Sequence, residues 1–305
     1  MKKIIIFVAL LILIPFFIVL IYNRNYKEIE LLYVNNIFIR VKRHKDNSII
    51  SMSLEEYIVG VLAGEMPIDF DIEAFKAQAV ASRSYALLRM EYNKDKEYDV
   101  LDSIMNQVYL DNEYLKKAWG KSYVKNINKL RTAVNSTIDE YLIYDGKIAD
   151  ALFFSTSNGY TENSENVFDF KCGYLKSVES PWDKDVSSAF KSSKTISLTD
   201  FYKTLGIEYS KNLNIEITNR SETGRILSLK INNKEFKGTK IYSLLGLRST
   251  DFEMELLGDS VKITTKGYGH GVGMSQYGAL GMAREGFTYR EILSHYYSGT
   301  SIKKM

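Results

Sequence analysis

Apolar positions follow three rhythms along this chain. The first is unbroken. "MKKIIIFVALLILIPFFIVLIYNRNYK" gives two lysines and then an almost wholly apolar run from Ile4 to Tyr22. As a helix that run reaches about 28 Å, close to the hydrocarbon thickness of a bilayer. No small-residue cleavage pattern follows it, which predicts an uncleaved signal anchor. Basic residues flank both ends (Lys2 and Lys3; Arg24 and Lys27). So short a leading tail is expected to stay in the cytosol, with the remainder on the extracytoplasmic side.

The second rhythm is helical. In "SMSLEEYIVGVLAGEMP", Ser53 and Glu56 form a capping box before Tyr57, Ile58, Val61 and Leu62, and the helix should end near Gly64, ahead of Pro67. An alanine-rich helix is predicted over 73–90, suited to close packing, followed by the mixed stretch "DSIMNQVYLDNEY". "NINKLRTAVNSTIDEYLIYDGKIADALFFSTSNG" reads as a helix, a hairpin turning at Asp145-Gly146, and a strand entering a polar loop. Two more helices are expected at the C-terminal end, one over 275–284 stopping at Gly286 and one in "TYREILSHYY".

The third rhythm is alternation. "EIELLYV" and "IFIRVKR" suggest strands, and 195–265 carries two hairpin patterns, each turning at a glycine. The resulting expectation is a mixed α+β exported domain with a substrate cleft, open to a bilobed arrangement, behind one N-terminal transmembrane helix. Its parts are a cytosolic tail (1–3), the anchor (4–22), a tether with the first strands (23–50) and the main domain (51–305).

Composition narrows this only a little. With 305 residues, 45% hydrophobic and 25% charged, the chain can bury a sizeable core. A formal net charge of +3 gives no case for nucleic acid. Cys172 is the one cysteine, so neither an internal disulfide nor a Cys-rich zinc site can form. No cofactor or metal is expected.

Four places could carry chemistry. Glu65, in "GEMP", stands between a helix end and a proline among apolar neighbours; burial would raise its pKa as a general acid requires, whereas a solvated helix-terminal glutamate would be inert. Lys76 and Arg83, seven apart, share a helix face and could clamp a ligand or simply pair with nearby acids. "FFSTSNGYTENSENV" clusters Ser155, Thr156 and Ser157 before Asn158-Gly159, either as a turn or as a serine nucleophile using His270. Finally "KGYGHGVGMSQYGALGMAREG" sets His270 among alternate glycines ahead of a helix. Its spacing fits neither a dinucleotide fingerprint nor a P-loop, and one histidine is too few for a metal. A wall approached closely by a ligand is left, with Ser275 and Gln276 offering donors, against a merely crowded corner.

Taken in order, "SLEEYIVGVLAGEMP", "EAFKAQAVASRSYAL", "FFSTSNGYTENSENV", the "YLKSV" and "SPWD" pieces, "TGR", "GLRST" and the glycine-rich segment resemble the stage II sporulation protein D family over roughly 50–300. The resemblance implies a peptidoglycan lytic transglycosylase that cleaves the MurNAc–GlcNAc β-1,4 bond and leaves 1,6-anhydro-MurNAc ends. It assigns Glu65 as the catalytic acid and base. It assigns Lys76, Arg83, Ser155, Thr156, Ser157, Gly159, His270, Ser275, Gln276 and Tyr277 to the cleft. Further implications are a preference for glycan strands stripped of stem peptides, action in engulfment at the mother-cell membrane facing the forespore, and cooperation with stage II sporulation proteins P and M. Some members hold a His/Cys zinc site near the "STSGG" loop; here Phe154 precedes Ser155, no cysteine lies between 155 and 171, and the loop reads Ser-Asn-Gly. Lys76 beside Glu65 would depress the pKa an acid needs. The alternative to an enzyme is a non-catalytic peptidoglycan-binding enhancer of an amidase.

Overall fold

The computed structural model describes residues 11, 13–15, 17, 27–168 and 170–305. The anchor expected over 4–22 lies largely outside the described residues, among which no helix is long and apolar enough to cross a membrane.

The architecture is mixed α+β, as expected, and it contains two hydrophobic cores. The larger core is built on two helices. Leu54–Glu65 starts at Ser53, whose Oγ accepts from the Glu56 backbone N–H, and it is apolar nearly all round, so it sits inside. Ile72–Tyr92 is capped by Asp71 and buries Ala74, Ala77, Ala79, Ala81 and Ala86 completely. Those small side chains let it serve as the hub against which Leu54–Glu65, Tyr123–Ser136, Gln276–Arg284 and Tyr289–Tyr296 all pack. Around them, Phe38–Arg43 lies between antiparallel Ile49–Ser53 and parallel Val100–Asp102. Glu140–Tyr144 lies between Ser301–Lys304 and Lys147–Ile148. The turn Asp145-Gly146 has φ of 48° and 75°, the primed geometry its sequence calls for.

"EIELLYV" is not a strand. Its backbone is taken up instead by side chains of the Tyr123–Ser136 helix. Ile29 N–H donates to Asn128 Oδ1, Leu32 N–H donates to Asn135 Oδ1, and Arg131 donates to the Ile29 carbonyl. A helix that presents amide side chains in register can replace a sheet partner, which alternation alone does not reveal.

The smaller core belongs to residues 191–266. Two three-stranded antiparallel sheets, Lys234–Lys237/Ile226–Ile231/Ile215–Arg220 and Phe252–Leu257/Ser260–Lys266/Lys191–Ser197, enclose Phe201, Leu229, Ile241 and Ile263 with two short helices. Both predicted hairpins are present.

One small pairing joins two distant segments. Met274–Ser275 runs parallel to Phe153–Phe154, and Thr156 bridges Tyr268. The serine-rich loop and the glycine-rich segment, more than a hundred positions apart, are thereby held side by side.

Candidate active site

Glu65 is the last residue of its helix, and Met66 is already extended. The geometry there starts from two glycines. Any Cβ at Gly60 would meet Tyr109, and one at Gly64 would lie 2.6 Å from the Val108 carbonyl oxygen. Their bare backbone lets segment 108–110 lie directly on the helix, with Leu110 N–H donating to the Gly60 carbonyl at 3.1 Å. That contact delivers the Val108 N–H to Glu65 Oε1 at 2.7 Å. On the other side, Lys129 ties down the Ile68 carbonyl at 2.9 Å and also the Phe70 carbonyl, fixing the chain that follows the carboxyl.

Glu65 opens onto a cleft of about 670 Å³. Burial pushes its carboxyl above the usual glutamate range, against the opposing pull of the Val108 N–H and of the Gln276 amide nearby. Gln276 itself is buried, and its Nε2 has no acceptor in hydrogen-bond geometry. Among the described residues no lysine or arginine pairs with Glu65. Tyr277 flanks the carboxyl's side of the cleft, its ring edge-on to Phe70 at 4.8 Å.

The facing wall comes from the Phe153–Phe154 and Met274–Ser275 pairing. Ser155 lines it, its carbonyl accepting from the Tyr277 N–H at 3.0 Å. His270 lines it too, its ring between Phe154 and Phe168 at centroid distances of 5.7 and 5.5 Å. His270 Nδ1 accepts from the Val272 N–H at 3.1 Å, so the neutral ring carries its proton on Nε2. Burial drives its pKa down to about 4, with the Arg225 charge acting in the same direction.

Sequence reasoning missed a polar cluster at the end of the cleft. Arg89 NH2 donates to both oxygens of Asp150 at 3.1 and 3.0 Å, and its guanidinium stacks on Tyr85 at 4.3 Å. Asn106 Nδ2 donates to the Tyr85 hydroxyl at 2.9 Å. Arg89 and Tyr85 belong to the same helix as Arg83 but to another face. The available signal was Tyr85 and Arg89 four apart, one turn from each other on a shared helix face.

Of the residues assigned to the cleft, the structure brings Glu65, Ser155, His270, Gln276 and Tyr277 together. The others require correction. Arg83 is fully buried and turned inward. Its Nε and NH2 donate to Glu55 at 2.8 and 2.6 Å and its NH1 donates to the Glu140 carbonyl, so it reaches no ligand. Lys76 pairs with Glu73 at 2.6 Å beside the Tyr289 ring, away from the cleft lining; it leaves Glu65 alone and removes the conflict over the acid's pKa.

Thr156, Ser157 and Ser275 are buried behind the wall, where they hold it. Asp183, fully buried in "SPWD", accepts from the Ser157 N–H at 2.7 Å and from the hydroxyls of Ser180 and Ser275. Ser275 also caps the Gln276–Arg284 helix, so one carboxyl sets both Ser155 and the Gln276-Tyr277 pair. Gly159 supplies a positive φ of 111° in the loop and does not line the cleft. A serine–histidine dyad is not formed, since Ser155 Oγ meets Thr156 Oγ1 and His270 Nδ1 is occupied.

The site is thus a cleft at the meeting of two loops and a helix end, with one half-buried carboxyl that no described lysine or arginine pairs. A family profile described as stage II sporulation protein matches residues 42–144. The chain is 44% identical over 269 residues to the stage II sporulation protein D of Bacillus amyloliquefaciens, covering 87% of this chain and 78% of that protein. It is 43% identical over 283 residues to the protein of that name from Bacillus subtilis, covering 91% and 82%. An amidase enhancer of Bacillus subtilis is 27% identical over 297 residues, covering 80% of this chain and 40% of its own length. The chain belongs to the stage II sporulation protein D family.

Proposed function

We propose that this chain is a lytic transglycosylase that cuts the MurNAc–GlcNAc β-1,4 bond of peptidoglycan glycan strands. The observation that carries the reading is the Glu65 carboxyl, held by one backbone N–H at the cleft wall, unpaired by any described cation, and shifted by burial towards its protonated form. Such a carboxylic acid can donate its proton to the glycosidic oxygen as the C1–O4 bond breaks. The C6 hydroxyl of the same MurNAc then bonds to C1, closing the 1,6-anhydro ring. Its proton returns to Glu65, so the acid is regenerated without water. Because the nucleophile already belongs to the substrate, its proximity to C1 stands in for a second catalytic group. Hydrolysis of this bond ordinarily uses two carboxylates. The cleft's other carboxyl, Asp150, is engaged by Arg89, which favours the single-acid route.

The same reading puts the protein on the outer face of a membrane through Ile4–Tyr22. It makes bare strands the substrate, with stage II sporulation proteins P and M as partners during engulfment. A second reading, a non-catalytic enhancer of an amidase, is favoured by the similarity to the amidase enhancer. The two separate in one experiment. Amidase-treated sacculi incubated with the wild-type chain should release anhydro-muropeptides by mass spectrometry, and Glu65→Gln should reduce their release by about 10²–10⁴-fold. Binding of sacculi without any anhydro product from the wild type would give the enhancer reading the field.

A further inference from the structure

Beyond Phe168 lies a second hollow of about 420 Å³ that this chemistry does not use. Phe168 lines both the cleft and the hollow, so the two share a wall. The Phe168 and Phe170 rings are stacked at 5.5 Å and 6° from parallel, and Phe170 is 45% exposed on the cleft side. The hollow sits between the segment around Asn166 and the strands Ile215–Arg220 and Ile226–Ile231. Its volume is within the range of small-molecule sites, about 300–1,000 Å³.

Of the charges lining it, Glu162 is engaged on both oxygens, whereas Arg225 keeps a buried Nε with no hydrogen-bond partner. Glu162 accepts from Asn163 N–H and Asn166 Nδ2 on one oxygen and from the Ser221 and Thr223 hydroxyls on the other. Arg225 is 1% exposed, lies 3.9 Å from Glu162 and donates to Ser249. Glu235 and Lys237 are exposed, and Glu165 pairs with Lys176. Between these charges the lining also presents neutral groups: the Asn166 Oδ1, Asn219, Thr239 and the Ser228 hydroxyl, which is shared with Thr218. The hollow is also joined mechanically to the cleft. Glu162 N–H donates to the Gly271 carbonyl at 2.7 Å, and a Cβ at Gly271 would lie 2.6 Å from the Arg225 guanidinium carbon, next in sequence to His270.

We propose that this hollow is a distal sugar subsite, occupied by a further N-acetylated sugar of the same glycan strand after it crosses the Phe168–Phe170 step. The inference rests on the glycan-cleaving reading of the cleft. Sugar rings offer an apolar C–H face that stacks on an aromatic ring, and hydroxyl and acetamido groups that give and take hydrogen bonds. A balanced, amide- and hydroxyl-lined hollow beside an exposed ring matches that chemistry. A charged stem peptide would instead call for an unbalanced field.

The test uses the full chain carrying Glu65→Gln, so that ligands are bound without turnover. Calorimetric affinity is measured for chitin oligosaccharides from trisaccharide to octasaccharide and for bare glycan strands. Affinity should rise about tenfold once the ligand is long enough to pass Phe168, the gain of a stacked ring and one or two hydrogen bonds. Asn219→Trp, at an exposed strand position, fills the hollow and should abolish that gain while trisaccharide affinity stays the same. A length gain that survives Asn219→Trp, or no gain at all, overturns the subsite, as would a gain confined to strands that keep their stem peptides. Failure of the cleavage reading shows separately, as wild-type chain yielding no anhydro ends from any strand.

Discussion

The Glu65 carboxyl accepts one hydrogen bond from the Val108 backbone N–H, at 2.7 Å, and is otherwise left to the cleft. Its desolvation outweighs the opposing pull of this N–H and of the nearby Gln276 amide, and the carboxyl's pKa rises. The folded state therefore holds this proton more tightly than the unfolded chain does. The contribution is favourable below the unfolded pKa and is lost as pH rises through the folded one.

Glu65→Gln removes that penalty while its amide oxygen can still accept from Val108. The variant should melt with the wild type at acid pH and above it at neutral pH, the gap opening as pH rises past the usual glutamate range. Thermal scans across pH measure this directly. A variant that is less stable than wild type at neutrality would mean that the carboxylate is well solvated and unsuited to act as an acid.

Much of this site was readable in the sequence because its causes are local. Ser53 and Asp145-Gly146 each act within four positions, so the helix and the hairpin they bound could be placed, whereas the Asp71 and Ser275 caps were recognised only in the structure. Glu65, a carboxyl at a helix end beside proline, was only one candidate on its local chemistry, and the resemblance to the family singled it out. Arg83 and Lys76 did not yield, because helix spacing says which residues share a face and is silent on whether that face meets ligand or core. Glu55, 28 positions away, decided Arg83. Asp183 was hidden likewise, since its role is set by hydroxyls from Ser180 and Ser275 that only the folded chain brings together.

Arg83 is expected to be a stability residue. Its side chain is 0% exposed and holds Glu55 by two nitrogens. Arg83→Ala leaves a buried carboxylate without its partner, at a cost of about 3–5 kcal/mol. Denaturant unfolding should show that loss, and any fall in activity should follow the fraction of folded protein, with KM for bare strands unchanged. A raised KM in a variant of normal stability would return Arg83 to the substrate.

His270 should be neutral wherever the protein works. With its pKa near 4 and Nδ1 receiving the Val272 N–H, it offers only an Nε2–H donor at ordinary pH. Nitrogen NMR of the ring should show the Nε2–H tautomer with no titration between about pH 5 and 8, where an ordinary histidine changes charge. Because the folded pKa is depressed, the unfolded chain takes up the proton first as pH falls below about 6.5. Wild type should then lose stability relative to His270→Gln between that pH and about 4. A ring that titrates near neutrality would remove it from the set of fixed wall groups.

Gly273 is where the wall has least tolerance. Its φ is 81°, and a Cβ there would lie 2.0 Å from the Leu152 carbonyl oxygen, the same oxygen that accepts from the Met274 N–H and the Tyr297 hydroxyl. Gly286 has a similar φ of 93° with nothing within 4 Å of the added atom. The pair separates backbone strain from collision. Gly286→Ala should cost about 1–2 kcal/mol, the price of left-handed backbone alone. Gly273→Ala should cost more, because the Phe153–Phe154 and Met274–Ser275 strands must part, and they carry Ser155 and the Gln276-Tyr277 pair with them. Unfolding measurements give the two costs, and binding of bare strands by whatever Gly273→Ala remains folded gives the effect on the cleft. Equal costs for the two variants would show that the strands can shift apart freely, and the glycine-rich segment would then be a flexible corner with no part in setting the wall.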